Sequence, residues 1–535
     1  MAGRLQDRHL YPRFVENIVG HSNYRLVKRC LHLGNYPCRK KRHHLCIRNK
    51  SAKRTGTFSG NGSSISGSKT MSAIHEQAMN YVYQQVLQRL LGKFSRAERT
   101  ALQLLVQRVI VAAGGIDQIG DYKVLIAHGG GKGSSCALAF LRAAQLTIAG
   151  RAPKSFQLRV ATLRHAGMTQ TTLDNIQRGY SALFFHDDPR VELLMVENQE
   201  VLPFNHLRLV STAGQYASRR NMLMIGHVTG GDIRASLHND GYLSVGDFYR
   251  RITSWKGGVH ALLSGDPSCK QNRYLGWLTK TTRAAKSRER ARRPLTLNAL
   301  FTDMDERSAM YYRDIYGDQS ALAHDSSSKH DHRPLAYIGV ADLLTETNTD
   351  FTWLLNDFMG HRLDEFAFQF SNHAYANPLL MAHLHGLQAE VLLELDYHQG
   401  ATGFVQRATA FMRRQQIPEL LRAQAGTREG RMLAATYARE FFSLEESQLV
   451  CMLFSPFVQQ GQKLEAFLRR CHPGMLVALP EVHKALQGKP CADLIQHWIV
   501  DTSGLPLELL QHLYRTQPAA SASCPPADPP MGQGR

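Results

Sequence analysis

The chain reads as an α/β protein: a mostly parallel sheet with flanking helices, followed by a mainly α-helical C-terminal half. Three observations predict this. Over Lys123–Leu141 a short apolar run meets a glycine-rich turn and then an apolar-periodic stretch, the pattern of strand, tight loop and helix. Over about 120–265, strand-like and helix-like stretches alternate, as they do in parallel sheets built from crossover units. Beyond Leu335 the apolar spacing is helical.

Residues 1–70 hold fifteen Lys and Arg against only Asp7 and Glu16, without helical or strand periodicity. They end in a Gly/Ser-rich stretch, 56–68, before Met71. The expectation is a disordered basic extension or sequence ahead of the true start, and no secretory apolar core is present. A helical pair is expected over 71–118. Its first helix puts Ile74, Ala78, Val82, Val86, Leu90 and Leu91 on one face. Its second opens with the capping box Ser95-Arg96-Ala97-Glu98, turns Leu102, Leu105, Val106, Val109 and Ile110 inward, and stops at Gly114-Gly115.

A nucleotide-binding α/β domain is expected over 119–280. After the glycine turn come a strand near Gln157–Leu163, a helix near Leu173–Leu183 and a strand Val191–Glu197. The stretch Arg219–Asp232 then reads as another strand and turn. A basic and polar linker is expected over 281–333, a helical domain over 334–516 and a disordered tail over 517–535. Within the helical domain, Ser443-Leu444-Glu445-Glu446 reads as a capping box, and Ser455-Pro456 puts proline in a first helical turn.

Composition narrows the class. The 535 residues are 43% hydrophobic, enough for substantial cores, and no apolar run reaches the roughly 18 residues of a membrane span. The net charge of +20 suggests nucleic acid, but much of it sits in the N-terminal extension. Nine cysteines without a C-x-x-C point to a reducing, cytoplasmic setting. Cys30, Cys38 and Cys46 among His32, His43 and His44 match no zinc spacing. His324, His330 and His332 with Asp325 and Asp331 read as a polar loop. The basic run Arg283–Arg293 offers an RNA contact, though it has no aromatic residue for stacking.

The chemistry concentrates in Gly129-Gly130-Gly131-Lys132-Gly133-Ser134-Ser135. Consecutive glycines let the backbone take positive φ and approach a ligand. A strand-to-helix loop of this kind turns its N–H groups toward one anion in front of a helix N-terminus. Lys132 adds a point charge, and Ser134 and Ser135 add hydroxyl donors. His128, just before the loop, is expected to point inward and pack. The spacing fits neither the Walker A loop nor the dinucleotide fingerprint.

The loop resembles the S-G-G-x-D-S loop of the PP-loop (N-type ATP pyrophosphatase) superfamily, which includes tRNA lysidine synthetases and tRNA thiolation enzymes. Gly130, Gly131 and Ser134 match, Gly129 replaces the first serine and Gly133 replaces the aspartate. The stretch Gln157–Met168 looks like the family's second strand with its adenosine-side turn, Arg164 standing where aspartate is common. Gly226, His227 and Asp232 are similar to the family's later G-H-x-x-D-D element. The resemblance covers roughly 120–235 and implies an adenine nucleotide alpha hydrolase-like fold.

It also implies ATP and Mg²⁺ as cofactors. ATP would adenylate a substrate oxygen and release pyrophosphate, and an amine, ammonia or sulfur nucleophile would then displace AMP. The acceptor would be a small molecule or a tRNA. Gly129, Gly130, Gly131, Lys132, Gly133, Ser134, Ser135, His165 and Gly226 would hold the nucleotide, and Lys132, His227 and Asp232 would be catalytic. Asp232 would take the metal in place of the missing loop aspartate, with Asp266, Asp187 and Asp188 as further candidates. Two alternatives stand beside this one: a degenerate nucleotide-binding regulatory or interaction protein, and an RNA-binding or tRNA-modifying protein.

Overall fold

The computed structural model describes residues 65–281, 296–317, 334–345, 352–362, 377–414, 423–424 and 426–517. The chain divides into two units, Met1–Gly92 and Lys93–Arg535. In the first, the described residues form one helix, α1 (Ile65–Lys93), whose last residue begins the second unit. It starts earlier than the apolar spacing alone indicates. The second unit opens with α2 (Arg96–Ala112), capped as expected: Ser95 accepts from the Glu98 N–H, and the Glu98 carboxylate accepts from the Ser95 N–H at 2.6 Å. Gly114 and Gly115 then take φ of +83° and +130°, which ends the helix.

The first three strands of the sheet follow in the predicted order. β1 (Lys123–Ala127), α3 (Lys132–Ala149), β2 (Gln157–Leu163), α4 (Gln170–Ala182) and β3 (Val191–Glu197) form successive crossover units, and β4 (Glu200–Pro203) returns beside β3 as an antiparallel hairpin. Two helices, α5 (Thr212–Val228) and α6 (Ile233–Ser254), lead to β5 (Ala261–Ser264), which pairs in parallel with β1. After α7 (Ser268–Thr281) and α8 (Leu297–Tyr316), β6 (Ala336–Gly339) pairs in parallel with β5. The spatial order is β4-β3-β2-β1-β5-β6. The chain therefore moves outward from β1 in one direction and then in the other. Its topological switch point lies between β1 and β5.

Strand alternation sends residues to two cores. Leu125, Ala161, Leu194, Val196 and Leu262 share a core with Met222 and Leu223 of α5 and Ile252 of α6. On the opposite face, Thr162 meets Tyr180 of α4. There α3 is buried along nearly its whole length, and α2 packs on it.

The predicted fold class holds, and the boundaries need correction. Arg219–Val228 belongs to helix α5, not to a strand. Ser211 caps this helix, and its short apolar run is buried all round, which periodicity cannot separate from a buried strand. The expected linker 281–333 contains α8, whose Phe301, Met304, Tyr312 and Ile315 are buried. The expected helical domain supplies β6 to the sheet. After it come α9 (Ala341–Thr345), α10 (Pro378–Leu392), α11 (Tyr397–Arg414), α12 (Arg428–Phe442) and α13 (Glu446–Phe454). The remaining helices are α14 (Leu464–Cys471), α15 (Leu479–Leu486), α16 (Asp493–Ser503) and α17 (Leu507–Arg515).

Two helix ends differ from expectation. Ser443 ends α12 in the left-handed conformation, and the capping box of α13 is formed by Glu445 and Gln448. Ser455 likewise ends α13, so Pro456 follows a helix instead of opening one. No helix among the described residues is long and apolar enough to cross a membrane. Residues 1–64, Arg283–Arg293, His324, His330, His332 and the tail from 518 lie outside the described residues.

Candidate functional site: the glycine loop at the switch point

The loop between β1 and α3 sits where open α/β sheets receive ligands, at the carboxyl ends of the strands beside the switch point. The His128 N–H donates to the Ala161 carbonyl at 2.8 Å, which ties the loop's entry to β2. Gly130 takes φ of +76°. A Cβ there would lie 3.0 Å from Ile176 Cγ1, so the backbone favours glycine and a larger residue would press on Ile176. Around Gly129 and Gly133, by contrast, an added Cβ would meet nothing within 4 Å.

Gly131 is the N-cap of α3 and has no side chain to cap it. The first bond of the helix runs from the Ser135 N–H to the Gly131 carbonyl at 3.0 Å. The N–H groups of Lys132, Gly133 and Ser134 precede it and have no intrahelical acceptor. No acid lies in this first turn, and Lys132 occupies its first position. A cation there opposes the helix dipole, so the local field is doubly suited to an anion.

The two serines part company. The Ser134 hydroxyl donates to the Gly131 carbonyl at 3.0 Å. Ser135 is fully buried, with Oγ 3.1 Å from His128 Nε2, so the expectation that it faces a phosphate is corrected. His128 is buried as expected; its Nδ1 lies 3.3 Å from the Tyr180 hydroxyl, which lies 3.2 Å from Thr162 Oγ1. Thr162 in turn donates to the His128 carbonyl at 2.8 Å.

One assignment of protons satisfies all four contacts. Thr162 spends its hydrogen on the carbonyl, so Tyr180 donates to Thr162, His128 donates through Nδ1, and Ser135 donates to Nε2. Burial keeps this chain neutral: it pushes His128 down to about 3 and Tyr180 upward. The network braces the loop from beneath. In sequence its only trace is a histidine at the strand's end and a serine seven residues on.

His165 follows β2 at the same sheet edge. Burial, and then the neighbouring Arg164, push it down to about 3. Arg164 is buried and donates to the Met168 carbonyl at 2.9 Å.

The other three expected site residues lie in the helical layer. Gly226 is inside α5, and a Cβ there would stand 2.3 Å from Met452 Cγ of α13, so glycine serves helix contact. His227 is fully buried at the end of α5, 5.6 Å from the Phe457 ring between centroids, and desolvation pushes it down to about 3. Its expected place at a strand end is corrected. Asp232 caps α6, its Oδ1 accepting from the Ala235 N–H at 2.9 Å, and its field reaches His385 of α10 and Tyr311 of α8. Side-chain capping is therefore the work its geometry displays.

Among the remaining acids, Asp188 is locked in ion pairs with Arg142 and Arg190, each at 2.7 Å. Asp187 and Asp188 also precede β3, which puts them at the amino edge of the parallel strands, opposite the loop. Asp266 differs. It follows β5, and a Cβ on the adjacent Gly265 would lie 3.2 Å from Ala137 Cβ and 3.8 Å from the Gly133 carbonyl. The β5 turn thus abuts the first turn of α3. Asp266 is exposed and pairs with Lys270 at 2.7 Å. Among the described residues, no three His, Cys, Asp or Glu side chains converge as a metal site. Asp266 is thus a carboxylate carried on the turn beside the loop's helix.

No family model, curated protein or solved structure matches this chain.

Proposed function

We propose that this protein binds the phosphate chain of ATP at Gly129–Ser134. The observation that carries this reading is the uncapped, lysine-bearing N-terminus of α3, reached through a glycine at positive φ and set at the switch point of a parallel sheet. Backbone N–H groups would bind the phosphate oxygens, Lys132 would add charge, and the neutral His128 network would hold the loop in shape. The resemblance of the loop residues to the PP-loop motif supports ATP as the nucleotide.

Binding is better supported than turnover. The loop lacks the family's aspartate, Asp232 caps a helix, and His227 is buried away from solvent. A catalytic reading is favoured by one feature, Asp266 beside the first turn of α3. In that reading a substrate oxygen would attack the α-phosphate and the loop would stabilise the departing pyrophosphate; Asp266 would help hold Mg²⁺, which would supply charge to the phosphates. The acceptor, a small molecule or a tRNA, belongs to the same reading.

Calorimetric titration with ATP and Mg²⁺ tests binding. Lys132→Ala should weaken it and Gly130→Val should abolish it; unchanged affinity in both variants removes the loop from the site. Pyrophosphate release, with Asp266→Asn and Gly133→Asp as variants, tests turnover. Release that falls with Asp266→Asn and rises with Gly133→Asp supports an enzyme. Bound ATP without release in any variant supports a nucleotide-binding module.

A further inference from the structure

On the α4 side of the loop lies a basic cluster that the reading above does not use. A π-helical turn, Leu354–Phe358, is followed by Gly360 at φ of +65° and by His361 and Arg362. Asn175 of α4 fastens this segment. Its amide donates to the Arg362 carbonyl at 2.9 Å, and its Oδ1 accepts from the Arg362 N–H at 2.8 Å. The same oxygen accepts from Arg178 Nη2. Two arginines are thereby held around one amide.

Asp174, on the same helix, is the acid whose field reaches Arg178. Neither Arg178 nor Arg362 has an ion pair among the described residues, and Arg178 Nε is buried without a partner. His361 is 8% exposed, and among the described residues neither of its ring nitrogens has a hydrogen-bond partner. Its electrostatic neighbours are Arg178 and His128, the residue at the entry of the glycine loop. The cluster also adjoins the loop through Ile176, one residue from Asn175 and the side chain closest to Gly130. Burying a histidine whose two nitrogens have no partner among the described residues, beside a guanidinium whose Nε is likewise unpartnered, is costly unless an acceptor arrives.

We propose that Arg178, His361 and Arg362 form a second anion subsite, so that the glycine loop and this cluster together hold two linked phosphates of one polyphosphate ligand. The inference rests on the loop reading and adds to it. It makes the ligand at least a diphosphate. The guanidiniums supply charge and planar donor pairs, and neutral His361 supplies one N–H.

Titration of the full chain with orthophosphate, pyrophosphate and ATP at low salt tests this. Wild type should bind pyrophosphate at least tenfold more tightly than orthophosphate. Arg178→Gln and Arg362→Gln should each weaken pyrophosphate tenfold or more and leave orthophosphate within twofold. A thermal midpoint near wild type would certify their fold, and Arg362, being exposed, is the safer variant. ATP weakened in parallel marks a nucleotide's phosphate chain as the ligand, whereas pyrophosphate weakened alone marks a free inorganic polyphosphate. Unchanged pyrophosphate affinity in both variants overturns the subsite, as does equal weakening of both anions. Retention of orthophosphate by Gly130→Val instead removes the loop, whatever the arginine variants do. Wild type binding neither anion overturns both assignments.

Discussion

Two junctions in this molecule are written in nearly the same residues and are built for opposite ends. The β1–α3 junction has Gly129, Gly130 and Gly131 with His128 before them. The α5–α6 junction has Gly226, Gly230 and Gly231 with His227 among them. Each uses positive φ, at Gly130 (+76°) in the first and at Gly230 (+70°) and Gly231 (+86°) in the second. At the first, the helix that follows has no side-chain cap, and Gly129 and Gly133 face open space. At the second, Asp232 caps the helix, and a Cβ on Gly231 would stand 2.1 Å from the Leu453 carbonyl oxygen. Glycine thus leaves open space at one junction and admits another helix at the other. Residue type alone does not separate these uses; the surroundings of the missing Cβ do.

The strongest test of this contrast is stability. Gly231→Val combines left-handed strain with a collision against backbone, and should cost about 3–5 kcal/mol in urea unfolding. Wild-type stability would show that the α5–α6 junction is not packed as described. Gly130→Val should cost less stability, about 1–3 kcal/mol, because its neighbour Ile176 is a side chain that can move. Its signature is loss of phosphate binding in calorimetry, and a variant that unfolds without any prior ligand effect would make the two junctions equivalent.

A third test uses pH. Burial lowers the folded-state His227 well below its ordinary 6.5, to about 3. Below pH 6.5 the unfolded chain takes up a proton that the folded chain refuses. Stability is therefore lost as pH falls from about 6.5 toward 3. His227→Leu removes this group and its two unpartnered nitrogens, so its thermal midpoint should fall less steeply over that range. A variant as acid-sensitive as wild type, or one that loses ATP turnover while remaining stable, would return His227 to the functional residues.

Smaller effects are expected at the helix starts. Asp232→Ala should cost about 1 kcal/mol and Asp232→Asn only a few tenths, since asparagine caps as well as aspartate. Metal-dependent pyrophosphate release lost in Asp232→Asn would contradict the capping assignment. Gly133→Ala, in open space and within a helix, should stabilise α3 by about 0.5–1 kcal/mol; destabilisation would mean that the loop is not open.

The sequence by itself determined the parallel sheet, the strands at 123–127 and 191–197, the cap at Ser95 and the glycine turn that opens α3. Each depends on neighbours along the chain: apolar alternation, a hydroxyl three residues before a carboxylate, glycines meeting a helix start. It misread the stretch that became α5, because a short apolar run buried on every side has no period to report. It also missed β6, which lies in a chain segment far from its partner β5. The tertiary structure alone decided that Ser135 turns inward to His128, that Gly226 and Gly231 receive α13, and that Asp266 comes beside α3. It alone brought Arg362 of one segment onto Asn175 and Arg178 of another. These are contacts between residues distant in sequence, fixed by which side chains fill which spaces, and local spacing carries no information about them.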